Sequence, residues 1–304
     1  MTKFVHVAAL LHRLAEQLSR SPAYVDLAPD ERVHQAQNEA EQILRSVAGW
    51  TRLQLLQSLQ EDVDPKLARL VAEMAARRAF GEPIAYILGR ADFYGHTFAV
   101  RPGCLIPRPD TEILVDAAVC FLRALPAGAQ VTDIGTGSGC IAISMQLACP
   151  QARVTGVDLA ADALAIAREN GERLGADVEW VLADGLEWLI AQAATGRRWH
   201  AIVSNPPYIP SADIAGLEPS VSAYEPRLAL DGGADGLMFY RQFAALPQSV
   251  FATGKAGLFL EVGCGQAPEV ADLFAHWRAD GFAIEVIRDL RGIERVVKIV
   301  RHAT

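Results

Sequence analysis

The chain has 304 residues, of which 51% are hydrophobic and 21% charged, and its net charge is −8. That length suits two domains and a sizeable core, and the composition excludes a long disordered segment. The first 80 residues carry ten basic and ten acidic side chains, so the acidic excess falls wholly on the remainder, which opposes the counterion displacement behind tight nucleic-acid binding; no direct nucleic-acid binding is expected.

From Met1 to Arg20, apolar residues are interrupted by Lys3, His12, Arg13 and Glu16, which fits neither a signal peptide nor a membrane span. A cytoplasmic protein without a membrane partner is expected. In the same segment Phe4, Val7, Leu10, Leu11, Leu14 and Leu18 recur at helical spacing, closed by Ser21-Pro22. A second helix opens near Pro29-Asp30-Glu31, carries Ala40, Ile43, Leu44 and Val47, and ends at Gly49. A shorter one runs through Leu53, Leu55, Leu56 and Leu59. A fourth starts at Asp64-Pro65, buries Leu67, Leu70, Val71 and Met74, and stops at Gly81. Residues 1–81 therefore form a small helical domain, expected to bind a partner or to cap the rest.

Beyond Gly81 the period changes. Phe93-Tyr94-Gly95-His96-Thr97-Phe98 predicts a β-hairpin, taken as a linker over 82–104. Leu105 to Glu112 leads into a helix with Asp110 as its N-cap and Ile113, Leu114, Ala117 and Ala118 on its buried face. Over 105–304, short apolar runs alternate with helical stretches: Val131–Ile134, Val154–Val157, Val178–Leu182, Ala201–Ser204 and Leu258–Val262. That alternation predicts a parallel sheet wound on both faces. Phe282–Arg288 and Arg295–Val300 are joined too briefly for a crossover and should pair antiparallel at one edge. The five cysteines are odd in number without a Cys-x-x-Cys pair, so reduced thiols are expected, and the seven histidines show no ligand spacing that would imply a metal.

Two stretches carry chemistry. Asp133-Ile134-Gly135-Thr136-Gly137-Ser138-Gly139 closes the first strand and opens a helix, and Asp158 ends the next strand, where a carboxylate grips ribose hydroxyls. The glycines alternate instead of following the dinucleotide spacing, and Asp133 suits a cationic ligand better than a pyrophosphate. S-adenosylmethionine fits best, with Gly135, Thr136, Gly137, Ser138, Gly139 and Asp158 as candidate contacts. In Ser204-Asn205-Pro206-Pro207-Tyr208 the prolines end a strand and stiffen the loop that leaves it. The Asn205 side chain and the Pro206 carbonyl are uncharged acceptors beside the aromatic Tyr208.

These residues resemble the amino-methyltransferases with an (Asn or Asp)-Pro-Pro-aromatic motif. More closely, the chain resembles the peptide-chain-release-factor glutamine methyltransferases, the PrmC or HemK family. The likeness extends through Gly81-Glu82-Pro83-Ile84-Ala85-Tyr86, Ile106-Pro107-Arg108-Pro109-Asp110-Thr111-Glu112 and Glu225-Pro226-Arg227-Leu228-Ala229-Leu230-Asp231-Gly232-Gly233. It implies a Rossmann-like class I S-adenosylmethionine-dependent methyltransferase fold, release factors as protein substrates, and S-adenosylhomocysteine as product. It further implies that Gly135 to Gly139 hold the methionine part of the cofactor, Asp158 its ribose, and Asp184 with Gly185 the adenine end. By the same resemblance Asn205, which also borders the cofactor, Pro206, Pro207 and Tyr208 take the target glutamine, with Asn205, Pro206 and Tyr208 catalytic. Some members have tryptophan where this chain has Gly185, which removes any adenine stacking from that position. Arg108 and Glu112 read as ties between hairpin and catalytic domain, and Glu261 as architectural. The rival reading is an adenine-N6 methyltransferase on DNA or RNA, whose substrate offers the same planar NH2.

Overall fold

The computed structural model describes residues 6–24 and 27–302. Two compact units emerge: one runs up to Gly89 and includes Leu217–Tyr224, and the other comprises Arg90–Gly216 and the chain from Glu225 onward. Among the described residues no helix is long and apolar enough to cross a membrane.

The helical unit contains α1 (Val7–Leu18), α2 (Pro29–Ala48), α3 (Arg52–Gln57), α4 (Pro65–Ala79) and the unanticipated α5 (Ile84–Leu88). Phe4 lies outside the described residues. The helix ends follow capping chemistry: Pro29 and Pro65 occupy first-turn positions that need no N–H donor, and Asp64 Oδ1 accepts from Lys66 N at 2.7 Å. Leu10, Leu14, Leu18, Ala40, Ile43, Leu44 and Val71 make the core. Leu70, in contrast to expectation, is 45% exposed, because α4 turns Val71, Ala75 and Arg78 inward. Arg78 is buried because Glu39 meets it: Arg78 Nε donates to Glu39 Oε2 at 2.6 Å and Nη2 to Oε1 at 3.1 Å, and the Tyr24 hydroxyl donates to the same carboxylate. Such a buried pair is tolerated only when its lone pairs and protons are matched. The division falls at Gly89 because Ile84 and Leu88 pack against this core. Leu217–Tyr224 contributes α10 (Pro219–Ser222) to the unit, and the Tyr224 hydroxyl donates to Phe80 O at 3.4 Å.

The second unit starts with the predicted hairpin, β1 (Arg90–Phe93) and β2 (His96–Ala99), turning at Tyr94-Gly95 with both residues left-handed. It is tied down by Glu112, whose Oε1 accepts from Tyr94 N at 2.7 Å. The large sheet contains β3 (Gln130–Ile134), β4 (Arg153–Asp158), β5 (Val178–Leu182), β6 (Ala201–Ser204), β7 (Ala256–Glu261), β8 (Phe282–Arg288) and β9 (Glu294–Arg301). Its order is β5-β4-β3-β6-β7-β9-β8; the first five strands are parallel, and β9 is antiparallel to both β7 and β8.

Alternate side chains of each strand feed opposite layers. Val131, Val203 and Phe259 enter a core with α6 (Glu112–Leu122) and α7 (Cys140–Ala148). Ile202, Leu258 and Leu260 enter another with α9 (Gly185–Ala194), α11 (Met238–Ala244) and α12 (Ala267–Leu273). Helix α8 (Ala161–Leu174) completes the β4-to-β5 crossover. Asp110 does not cap α6. It forms an ion pair with Arg295 at 2.6 Å, and α6 begins at Glu112 after a single tight turn over Pro109–Thr111.

Candidate active site

Sheet order reverses between β3 and β6, both of which point their C-terminal ends the same way, and in such sheets the crevice at the reversal accepts ligands. A cleft of about 970 Å³, open to solvent, lies there. Its floor is Ile134, Gly135 and Gly137 after β3, Val157 and Asp158 at the end of β4, Asp184 and Gly185 after β5, and Ser204 to Pro207 after β6.

Gly135, Gly137 and Gly139 have φ of 73°, 56° and 81°, in the left-handed region that a side chain disfavours. The loop they allow folds back so that Gly135 N and Thr136 N both donate to Val157 O, at 2.9 and 3.0 Å. Gly137 N donates to Asp158 Oδ2 at 2.8 Å, while Asp158 Oδ1 accepts from Ala160 N at 2.9 Å. Two backbone donors thus fix the carboxylate plane, and each oxygen keeps a lone pair for a further donor. Burial pushes the Asp158 carboxyl above its ordinary range, opposed by those hydrogen bonds.

Thr136, Ser138 and Gly139 do not line the cleft. The Thr136 hydroxyl donates to Asp133 Oδ2 at 2.6 Å, Ser138 is 2% exposed, and Gly139 abuts Trp180 at the start of α7. They shape the loop from behind. Asp133 itself is fully buried, its carboxyl raised to about 7 by desolvation, and its Oδ1 has no hydrogen-bond partner among the described residues.

Asp184 caps α9, its Oδ1 accepting from Leu186 N and Glu187 N at 3.0 Å each. At Gly185 a Cβ would sit 2.5 Å from Ile134 Cγ2, a methyl held close to its own backbone by the branched Cβ, so a side chain there must push Ile134 aside. We expect Gly185→Trp to raise the dissociation constant of S-adenosylmethionine about 10-fold, since overpacking costs ~1–3 kcal/mol and would displace Ile134 from the cleft floor. Calorimetric titration measures this, and unchanged affinity would show that the floor yields.

Asn205 and Pro207 are half-buried and Pro206 is buried. Asn205 Nδ2 donates to Thr111 Oγ1 at 3.3 Å, which leaves Oδ1 as the uncommitted acceptor. Tyr208, however, is not a cleft residue. Its ring packs on the core that contains Tyr240 and Val262, its carbonyl accepts from Gln266 Nε2 at 3.0 Å, and desolvation, with the nearby Glu261 charge, raises its phenol to about 12. Gly236 approaches the Tyr208 carbonyl so closely that no Cβ could be accommodated.

Leu105, Leu228 and Ala229, from the two runs singled out on either side of the sheet's first strands, also wall the cleft, while other walls have no counterpart among the residues that the sequence pattern singles out: Gly103 and Cys104, Leu159, Ala160 and Ala163, and Phe239, Gln242 and Phe243 of α11. Phe239 and Gln242 stand three apart on one helix, a spacing that any amphipathic helix shares. The run before α6 is fastened at two points. Ile106 N donates to Glu225 Oε2 at 3.1 Å and Arg108 pairs with Glu225, while Asp110 holds Arg295. Arg108 therefore ties the run to Glu225, not to the hairpin.

The residues present fit S-adenosylmethionine. Among the described residues the charged groups lining the cleft are Asp158 and Asp184, and neither Lys nor Arg lines it, so a pyrophosphate would find no cation whereas a positively charged ligand meets an anionic wall. Apolar Val157, Leu159 and Ala163 offer a surface for a flat ring.

Comparison with known proteins agrees with that chemistry. A model of the PrmC N-terminal domain matches residues 27–89, and one of the methyltransferase small domain matches 112–216. A release factor glutamine methyltransferase of Geobacter sulfurreducens is 42% identical over 267 residues, 87% of this chain and 89% of the relative. The chain belongs to the release factor glutamine methyltransferase family. A second family member, from Bordetella pertussis, is 42% identical over 258 residues, covering 85% of this chain and 92% of its own. The crystal structure of a release-factor-specific protein-(glutamine-N5) methyltransferase from Alicyclobacillus acidocaldarius aligns with 49% identity over 67% of this chain and 99% of that one, at a TM-score of 0.47. The family's fold, a class I S-adenosylmethionine-dependent methyltransferase with an added helical region and a small hairpin, is the fold of this chain.

Proposed function

We propose that this chain transfers the methyl group of S-adenosylmethionine to the side-chain amide nitrogen, N5, of the glutamine in the Gly-Gly-Gln motif of translation release factors, in the cytoplasm. The observation that carries this reading is the Asn205-Pro206 junction, two uncharged acceptors at the edge of a cleft whose charged lining is wholly anionic. Membership in a family named for release factor glutamine methylation supplies the substrate class.

When bound, S-adenosylmethionine supplies a methyl group activated by an adjacent sulfonium, and S-adenosylhomocysteine is the product. The chain's own residues do the remainder. Asp158 offers one lone pair from each oxygen to vicinal ribose hydroxyls, and Gly135 and Gly137 bring bare backbone to the methionine part. A carboxamide nitrogen is a weak nucleophile because its lone pair is delocalised into the carbonyl. Asn205 Oδ1 and the Pro206 carbonyl accept its two N–H hydrogens, aim the nitrogen, and stabilise positive charge as it develops. Pro206 and Pro207 hold those acceptors still, so little ordering remains to be done on binding. Tyr208 supports the loop from below and keeps water from its underside. No strong base is needed, because a methylated amide cation loses its proton readily. The helical unit contacts the body of the release factor.

The test is incubation with methyl-labelled S-adenosylmethionine and, in separate reactions, purified release factor and nucleic acid, followed by mass spectrometry to locate the label. Label on the motif glutamine is expected. Label on adenine, with none on the glutamine, would replace this reading by the nucleic-acid one.

A further inference from the structure

Glu261 ends β7, one strand away from Asn205. Ser204 pairs with Leu260, so Asn205 and Glu261 leave the sheet side by side. The glutamate is 4% exposed, takes part in no ion pair among the described residues, and leaves Oε2 without a hydrogen-bond partner among them. A carboxylate kept for stability alone would be directly paired, as Glu39 is. Thr111, 3% exposed, accepts through Oγ1 from Asn205 Nδ2, and both side chains are hydrogen-bonding neighbours of Glu261.

We propose that Glu261, acting through Thr111, is a positioning residue that fixes which end of the Asn205 amide faces the target. This rests on the proposed role of Asn205 as an acceptor for the target amide. An asparagine can present either its oxygen or its NH2, and the two orientations fill nearly the same space. Only the oxygen can accept from a substrate N–H; the NH2 would oppose it. A hydroxyl has one hydrogen, and a carboxylate can only accept, so a Thr111 hydroxyl that donates toward Glu261 must receive from Asn205 Nδ2. The relay has one polarity, and Oδ1 faces outward.

The ionised form of Glu261 is needed for this. Burial raises its carboxyl to about 7, opposed by hydrogen bonding from Thr111, the charge of Arg295 and hydrogen bonding from Asn205, while Asp110 adds to the rise. Tyr208, Tyr240 and Cys140 also face it, and all three phenol or thiol groups are pushed up and stay neutral near pH 7. Glu261 thus takes up a proton as pH falls through about 7, and the polarity is lost in that direction.

Two measurements test the proposal. In the cofactor-free protein, the side-chain amide proton resonances of Asn205, assigned by their absence in Asn205→Ser, should titrate with a midpoint of about 7 and stop doing so in Glu261→Gln. With release factor as substrate, Thr111→Val and Glu261→Gln should each lower kcat by about 10- to 100-fold with cofactor affinity within about 2-fold, Thr111→Ser should restore most of it, and Glu261→Gln should abolish the fall in kcat below neutral pH. Asn205 resonances that titrate identically in Glu261→Gln, or Thr111→Val with wild-type kcat, would overturn the proposal; the threonine pair decides the matter if Glu261→Gln does not fold. Wild-type protein inactive on release factors would count against the proposed reaction instead, and the amide titration would still report on the relay.

Discussion

Asn205→Ala should lower turnover at saturating cofactor by about 100-fold or more while leaving the dissociation constant of S-adenosylmethionine within about 2-fold, the scale of losing one group that acts on transition-state charge. The effect is local. The methyl side chain removes the Asn205 Oδ1 acceptor at the end of β6 but leaves the backbone between Ser204 and Pro206 unchanged, since Ser204 is held by its own hydroxyl, which donates to Ile134 O at 2.7 Å. Gly135, Gly137 and Asp158 keep their bonds, so the cofactor side of the cleft is untouched. Single-turnover rates with calorimetric affinities separate the two effects. Wild-type turnover in the variant would remove Asn205 from the chemistry, and a parallel loss of affinity would make it a cofactor residue only.

Asp158→Ala should do the opposite, raising the dissociation constant of S-adenosylmethionine by roughly 100-fold or more, because a hydrogen bond to a charged group is worth ~1.5–3 kcal/mol and two hydroxyls are involved. The loop adds to the loss: Gly137 N gives up its acceptor, and a left-handed glycine without one no longer has a fixed place. Asp158→Asn should recover part of the affinity, since its amide oxygen keeps one acceptor while its NH2 opposes one of the two backbone N–H groups that face the carboxylate. Equal affinities for Asp158→Ala and the wild type, measured by calorimetry, would show that the ribose is gripped elsewhere.

The catalytic unit was readable wherever hydrophobic period and strand-ending residues coincided. Val178–Leu182, Ala201–Ser204 and Phe282–Arg288 begin and end where their apolar runs do, and the closing pair is antiparallel because so short a connection leaves no room for a crossover. What could not be read depended on partners remote in sequence. Arg78 looks like a surface residue until Glu39, on another helix, is placed against it. Asp110 has every local mark of a helix cap, but Arg295 competes for it and wins. In the site, glycine spacing located the loop but not which way its side chains face; Thr136 and Ser138 turn inward because Asp133 and the β-sheet behind it need covering. The wall from α11 was invisible for a different reason, since Phe239 and Gln242 also fit the surface of an ordinary amphipathic helix.

The placement of Leu217–Tyr224 has an evolutionary corollary. The chain passes from helical unit to sheet after Gly89, returns at Leu217, and leaves again after Tyr224. A recombination event that grafted only the leading segment onto another transferase would strand α10, and the hydroxyl that reaches Phe80, in the wrong parent. Exchange of the helical module between lineages thus requires two matched crossovers, the second of them close behind the Asn205 loop, so that the helical module and the sheet-bearing unit are inherited together.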